Sequence, residues 1–267
     1  MWDKPLHESP PLVKFCIDLW VEYNQEYNVE IYDSQTAKEY LKNDFDPIIY
    51  DSLKVQHQSD LLRTKLLAEK GGVWVDATCM PHRPIRNWIP EFQHADFSGL
   101  KTLTKGQIID NWFMLARKNS IIMTKQYEAL KKYWKIEKIN LPQDPRSIKI
   151  ISENWRYYVS NFVSMDLRLA PYFLWQYIFT SLNENDAEFS DCLKGQPYSS
   201  SDGSCGFIAL ALAKHENLEP PLPEELQTFI ISTKAPLSKL IRYNPVTSKM
   251  IPEFKKCLEI RRKLEQF

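Results

Sequence analysis

The chain has 267 residues, 43% apolar and 25% charged, enough to fill the core of one large α/β domain or two small ones. Lys+Arg and Asp+Glu both number 34, so the formal net charge is zero, and no global field draws the chain to nucleic acid or an anionic membrane. The longest apolar run, Phe207 to Ala213, is far short of the ~20 residues that span a bilayer, and Met1-Trp2-Asp3-Lys4-Pro5 opens without an apolar signal region. These features predict a cytoplasmic protein with no nucleic-acid partner. Cys16, Cys79, Cys192, Cys205 and Cys257 contain no C-x-x-C pair and read as reduced, mostly buried thiols.

Leu12, Cys16, Leu19, Trp20 and Tyr23 recur at helical spacing and predict a helix from about Pro11 to Tyr23. Asn28 to Tyr32 alternates and is rich in Val, Ile and Tyr, the pattern of a strand. Asp33-Ser34 caps a helix over Gln35 to Lys42. A helical region over Pro47 to Lys70, with a break near His57, ends at Gly71-Gly72, where glycine takes the left-handed conformation at little cost. Val73-Trp74-Val75 is the next strand, followed by short strands at Asp96–Leu100 and Trp112–Ala116 and a helix over Ser120–Trp134. Asn140–Arg146 reads as a loop, Pro171–Leu182 and Phe207–Glu216 as helices, Ser199–Ser204 as a polar loop and Glu219–Pro223 as a rigid connector. Pro252–Phe267 forms a terminal helix with Phe254, Leu258 and Leu264 beside Lys255, Lys256, Arg261, Arg262 and Lys263. Packing on the domain is its favoured role, with peripheral contact at the inner face of a plasma membrane as the alternative. The alternation of helices and strands predicts an α/β fold in a single domain.

Ligands of open α/β sheets bind at the carboxyl ends of strands, where Asp76 follows Val73-Trp74-Val75. Asp60 and Arg63, three apart on the preceding helix, leave from one face. They read either as an ordinary ion pair or as a site at the sheet edge, with the carboxylate accepting from sugar hydroxyls and the guanidinium donating to hydroxyl or phosphate. Together the residues spell S-D-x-x-R-x-x-x-L-x-x-x-G-G-x-x-x-D from Ser59 to Asp76, a far more specific signal than any of its parts.

This motif resembles the core of the capsular polysaccharide synthesis glycosyltransferases and of the wider DXD sugar-transferase group. Trp2, Pro10-Pro11-Leu12-Val13, Tyr27 to Asp33, Asn111-Trp112-Phe113-Met114 and Ala235 to Leu240 look like the family's flanking blocks. The resemblance implies a GT-A-like fold with a mixed, mostly parallel central sheet flanked by helices and a helical C-terminal part. The nucleotide-sugar half would cover about 1–118 and the acceptor half about 119–267. It implies a hexosyltransferase-type enzyme that moves a sugar, with retention, from a UDP-sugar or related donor to a hydroxyl of a glycan or lipid-linked glycan. Asp60 and Arg63 would hold the donor sugar, Trp2 would lie near the base, and Gly72, Thr78, Asn111 and Lys239 would complete the donor site. Asp76 and Arg63 would be the catalytic residues.

Asp76 would be the first acid of the DXD and would bind a divalent metal, Mn²⁺ or Mg²⁺. The second acid is Thr78 here, and a neutral hydroxyl is a weak ligand for a hard cation. Charge on the leaving diphosphate would then be met by metal at Asp76, by Arg63 or by Lys239. His82-Arg83-Pro84 could approach phosphate, though an ordinary polar loop fits as well. Thr78 also favours a second reading, a non-catalytic descendant that binds sugar or nucleotide as a scaffold.

Overall fold

Pro10 and Pro11 set the start of the first helix, since proline suits a first turn whose N–H groups have no intrahelical acceptor. That helix, α1 (Pro11–Tyr23), buries Leu12, Cys16, Leu19, Trp20 and Tyr23 on one side, as their spacing predicts. The computed structural model describes residues 2–92, 94–101, 109–135, 173–200, 205–214, 218–240 and 245–265. The predicted loop at Asn140–Arg146 lies outside them.

The chain divides into two compact units, one formed by Tyr32–Val75 with Phe92–Ser200, the other by Trp2–Ile31, Asp76–Glu91 and Ser201–Phe267. The first unit opens with α2 (Ser34–Leu41), whose N-cap Asp33 accepts from Thr36 N at 2.8 Å while Thr36 Oγ1 accepts from Asp33 N, a reciprocal capping box. α3 (Pro47–Ser52) ends at Leu53, where the backbone turns extended, and α4 begins directly after, at Val55–Glu69. The break therefore comes at Leu53-Lys54, and His57 lies inside α4. Gly71, at φ 72°, ends the helix in the left-handed region, and β1 (Gly72–Val75) follows.

β1 pairs antiparallel with β4 (Ile109–Ala116), and β4 pairs antiparallel with β3 (Phe97–Lys101). β5 (Tyr198–Ser200) runs parallel to β3 at the far edge, giving the order β1-β4-β3-β5. Between β3 and β5 come α5 (Ile121–Lys135), α6 (Leu174–Asn185) and α7 (Ala187–Lys194). Leu61, Leu62, Trp74, Met114, Ile122, Tyr133, Trp134, Trp175 and Phe179 form the core of this unit.

The second unit joins α1 to β2 (Cys79–Pro81), α8 (Phe207–Ala213), α9 (Glu224–Ser232), β6 (Leu237–Lys239), α10 (Pro245–Lys249) and α11 (Ile251–Glu265). β2 and β6 form a two-stranded antiparallel sheet with Cys79 opposite Lys239. Leu12, Phe15, Met80, Ile208, Leu226, Ile230, Met250, Phe254 and Leu258 build a separate core, so the apolar side of the terminal helix is packed on its own unit.

The described chain is mostly helical, and its strands pair antiparallel except for β3 with β5. This overturns the expected GT-A-like, mostly parallel sheet. A parallel pair needs a crossover between strands that start on the same side. Asn28–Tyr32, expected as the earlier strand, joins no ladder, and Ile31 is 44% exposed. Its alternation records strand propensity, which yields a strand only where a neighbouring edge accepts it. Without that strand α4 crosses from nothing, and β1 takes its partner from β4, which returns in the opposite direction.

Candidate functional site

α4 is buried all round, from His57 through Ala68, although half of that stretch is polar. Polar groups in such a place must be hydrogen-bonded, and most are. Asp60 and Arg63 are each 5% exposed. Asp60 Oδ1 accepts from Asn111 Nδ2 of β4 at 2.8 Å and lies 3.5 Å from Arg63 Nε. The guanidinium also donates to Ser59 O at 3.2 Å, to Ser59 Oγ at 2.8 Å and to the Asn111 carbonyl, and sits 5.1 Å from the centre of the Trp74 ring.

The network reaches α6. Gln176 Nε2 donates to Asn111 Oδ1 at 3.2 Å, and Trp175 Nε1 donates at 2.8 Å to Thr64 Oγ1, which itself bonds to the Asp60 carbonyl at 2.6 Å. His57 Nδ1 stands 3.7 Å from Asp60 Oδ2, with its ring tilted against Trp134 at 5.2 Å. His57 Nε2 and Gln176 Oε1 are buried without a hydrogen-bond partner among the described residues.

Asp76 and Lys239 belong to the second unit. Asp76 caps a tight turn, its carbonyl accepting from Cys79 N at 3.0 Å, and its carboxylate meets Lys239 Nζ at 2.7 Å. Both side chains are 26% exposed, so the pair is partly shielded yet accessible. The β2–β6 pairing and two flanking bonds, Leu240 N to Thr78 O at 2.9 Å and Lys239 N to Cys205 O at 2.7 Å, hold the lysine in place. Burial pushes the Cys79 thiol up to about 12 despite the nearby Lys239 ammonium, and burial likewise raises Cys16. Both thiols stay protonated.

The sequence-predicted residues thus fall into two groups. Asp60, Arg63 and Asn111 are directly bonded in the first unit, and Asp76 and Lys239 in the second. Gly72, exposed at φ 98°, opens β1; Thr78 is buried at the turn into β2; Trp2 is half-buried at the start of the second unit.

The family model for capsular polysaccharide synthesis protein matches residues 1–142, more than half of the chain. The chain belongs to this family. No curated protein and no solved structure matches it. The matched part of the chain contains Asp60, Arg63, Asp76, Thr78 and Asn111, whereas Lys239 lies beyond it.

Among the described residues no group of three or more His, Cys, Asp or Glu side chains is placed to hold a metal ion. Asp76 offers one carboxylate, already facing an ammonium, so a divalent cation here would depend on oxygen ligands from a bound phosphate. His57, Ser59, Trp175 and Gln176 are members of the buried network that motif spacing did not single out. Ser59 was in the motif as a letter only, and α6 is more than a hundred positions away in sequence.

Proposed function

We propose that this chain is a glycosyltransferase that moves a sugar from a nucleotide-sugar donor, a UDP-sugar in the first instance, to a hydroxyl of a glycan acceptor. The observation that carries the reading is the Asp76–Lys239 pair: a lysine held 2.7 Å from the motif carboxylate and still accessible to a ligand. In the transfer, the acceptor oxygen bonds to the anomeric carbon as the carbon–oxygen bond to the diphosphate breaks, and the acceptor proton leaves with the diphosphate. Negative charge develops on that leaving group, and a preorganised ammonium is a suitable stabiliser for it. Asp76 orients Lys239 and accepts from donor hydroxyls. A divalent metal, if bound, would be held by Asp76 together with donor phosphate oxygens and would add positive charge opposite the leaving diphosphate. Asp60, Arg63 and Asn111 bond to one another inside the first unit, where they tie α4 to β4.

Donor hydrolysis is the direct test, because transferases of this class pass sugar slowly to water. Release of UDP from a panel of UDP-sugars, with and without Mn²⁺, is expected for the native chain. Lys239→Met and Asp76→Asn should each lower it about 10²-fold with the melting temperature little changed, the usual effect of removing one charge-stabilising group. Full activity in both variants would remove the pair from the mechanism. Binding of UDP-sugar with no hydrolysis at all would instead identify a non-catalytic sugar-binding descendant, the reading favoured by Thr78 in place of the second acid. Among the described residues no helix is long and apolar enough to cross a membrane. Ile260 and Leu264, exposed on α11 beside Lys263, are where peripheral contact with a lipid surface would be made.

A further inference from the structure

A cleft of about 470 Å³ opens in the second unit, lined by residues other than Asp76 and Lys239. The end of α1 and the turn after it, the segment following β2, and the last turns of α11 form its walls. This volume falls within the range of small-molecule sites, roughly 300–1,000 Å³.

Its charges are matched in advance. Arg262 meets Glu22 at 2.8 Å and lies over the Tyr23 ring at 4.3 Å; Arg86 meets Glu26 at 2.6 Å. Glu265, the remaining acid in the lining, is bonded to Arg261 Nε at 2.7 Å. An incoming anion would find each guanidinium held by a carboxylate, and an incoming cation would find each carboxylate held by a guanidinium. A neutral, hydroxyl-rich ligand escapes both conflicts. It donates to carboxylate oxygens, which carry about four lone-pair sites, and accepts from guanidinium N–H groups left over from the pairs, of which each arginine has five.

His82 adds a direction to this preference. It lines the cleft and is 1% exposed, and its Nδ1 lies 3.2 Å from the Ala235 carbonyl, which can only accept. Nδ1 therefore carries the proton. Burial, reinforced by the Arg261 charge, pushes the imidazole down to about 3, so the ring is neutral and Nε2 is a bare acceptor. Nε2 has no hydrogen-bond partner among the described residues. A buried acceptor without a donor costs free energy that a ligand hydroxyl would recover.

We propose that this cleft is a binding site for a neutral saccharide, the acceptor glycan of the transfer proposed above. Only the word acceptor rests on the transferase reading; saccharide binding stands on the charge-matched lining and on His82. The test is calorimetry or saturation-transfer NMR on the full chain without donor, using lactose, cellobiose and chitobiose, with inorganic phosphate and digalacturonate as charged comparators. At least one neutral disaccharide should bind in the millimolar range and in preference to both anions. Arg262→Met, and separately the double variant Arg86→Ala with Asn87→Ala on the exposed rim, should weaken it about tenfold or more. The rim variant guards against the chance that Arg262→Met loosens α11, and melting temperatures report on that directly. Tighter binding of either anion, no binding of any neutral disaccharide, or an unchanged dissociation constant in both variants would overturn the proposal. Because no donor is present, saccharide binding can hold where UDP-sugar hydrolysis fails, and the two readings fall separately.

Discussion

Replacing Asp60 with alanine removes the acceptor 2.8 Å from Asn111 Nδ2 and the carboxylate 3.5 Å from Arg63 Nε, at a site where both members of the ion pair are 5% exposed. A hydrogen bond to a charged group is worth about 1.5–3 kcal/mol, and stripping one partner from a buried ion pair costs about 3–5 kcal/mol in all. Arg63 keeps its bonds to Ser59 and to the Asn111 carbonyl, and the Trp74 ring stays 5.1 Å away, so the lower end applies, about 3 kcal/mol. At about 2–4 °C per kcal/mol for chains of this size, the melting transition should fall by roughly 6–12 °C. Differential scanning calorimetry and urea titration measure this directly. Asp60→Asn should cost less, since its amide oxygen can still accept from Asn111. The double variant Asp60→Ala with Arg63→Met should cost less than the sum of the two single changes, because it removes the stranded charge as well. A loss below about 1 kcal/mol for Asp60→Ala, or strict additivity in the double variant, would refute the view that this pair is a coupled buried unit.

Three further outcomes follow from the geometry. His82 has its folded pKa depressed to about 3 against an ordinary value of 6.5, so below about pH 6.5 the unfolded chain takes up a proton that the folded chain does not. Its contribution to stability is complete above pH 6.5 and declines by about 1.4 kcal/mol per pH unit toward pH 3; the acid-side slope of urea midpoints should flatten in His82→Asn, and an unchanged slope would contradict the assigned burial. Gly71→Ala would place a Cβ 2.4 Å from Lys118 N at φ 72°, whereas at Gly72, φ 98°, a Cβ meets nothing within 4 Å. Alanine at Gly71 should therefore lower the melting temperature clearly more than alanine at Gly72, and equal losses would count against the close approach. Asp96 holds Arg117 at 2.8 Å, Ser120 Oγ at 2.7 Å and the first backbone N–H groups of α5 at 3.3 Å. Asp96→Ala should cost about 2 kcal/mol, the scale of a lost helix cap, and a change under 0.5 kcal/mol in chemical denaturation would show that water replaces the carboxylate without loss.

Local signals carried the elements whose causes are local. α1 was legible from the spacing of Leu12, Cys16, Leu19 and Trp20, α2 from the cap at Asp33, and the end of α4 from Gly71. Asn28–Tyr32 misled because alternation describes what a segment would do beside a free sheet edge and says nothing of whether one is there. The mostly parallel sheet failed with it, since parallel pairing is a property of strands distant in sequence. At the candidate site, the spacing of Asp60 and Arg63 announced a shared face but not its surroundings. Their burial and their bonds to Asn111, with Gln176 and Trp175 joining the network from α6, come from chain segments about 50 and 110 positions away.

From its residues alone, then, this protein declared its family, most of its described helices and the identity of its charged candidates, because caps, glycine stops and 3.6-residue periodicity act within a few positions along the backbone. Strand direction, the setting of Lys239 beside Asp76, the protonation state of His82 and the charge-matched cleft were decided by tertiary structure. Each depends on desolvation or on a partner brought in from far along the chain, and neither has a signature that a local pattern can hold.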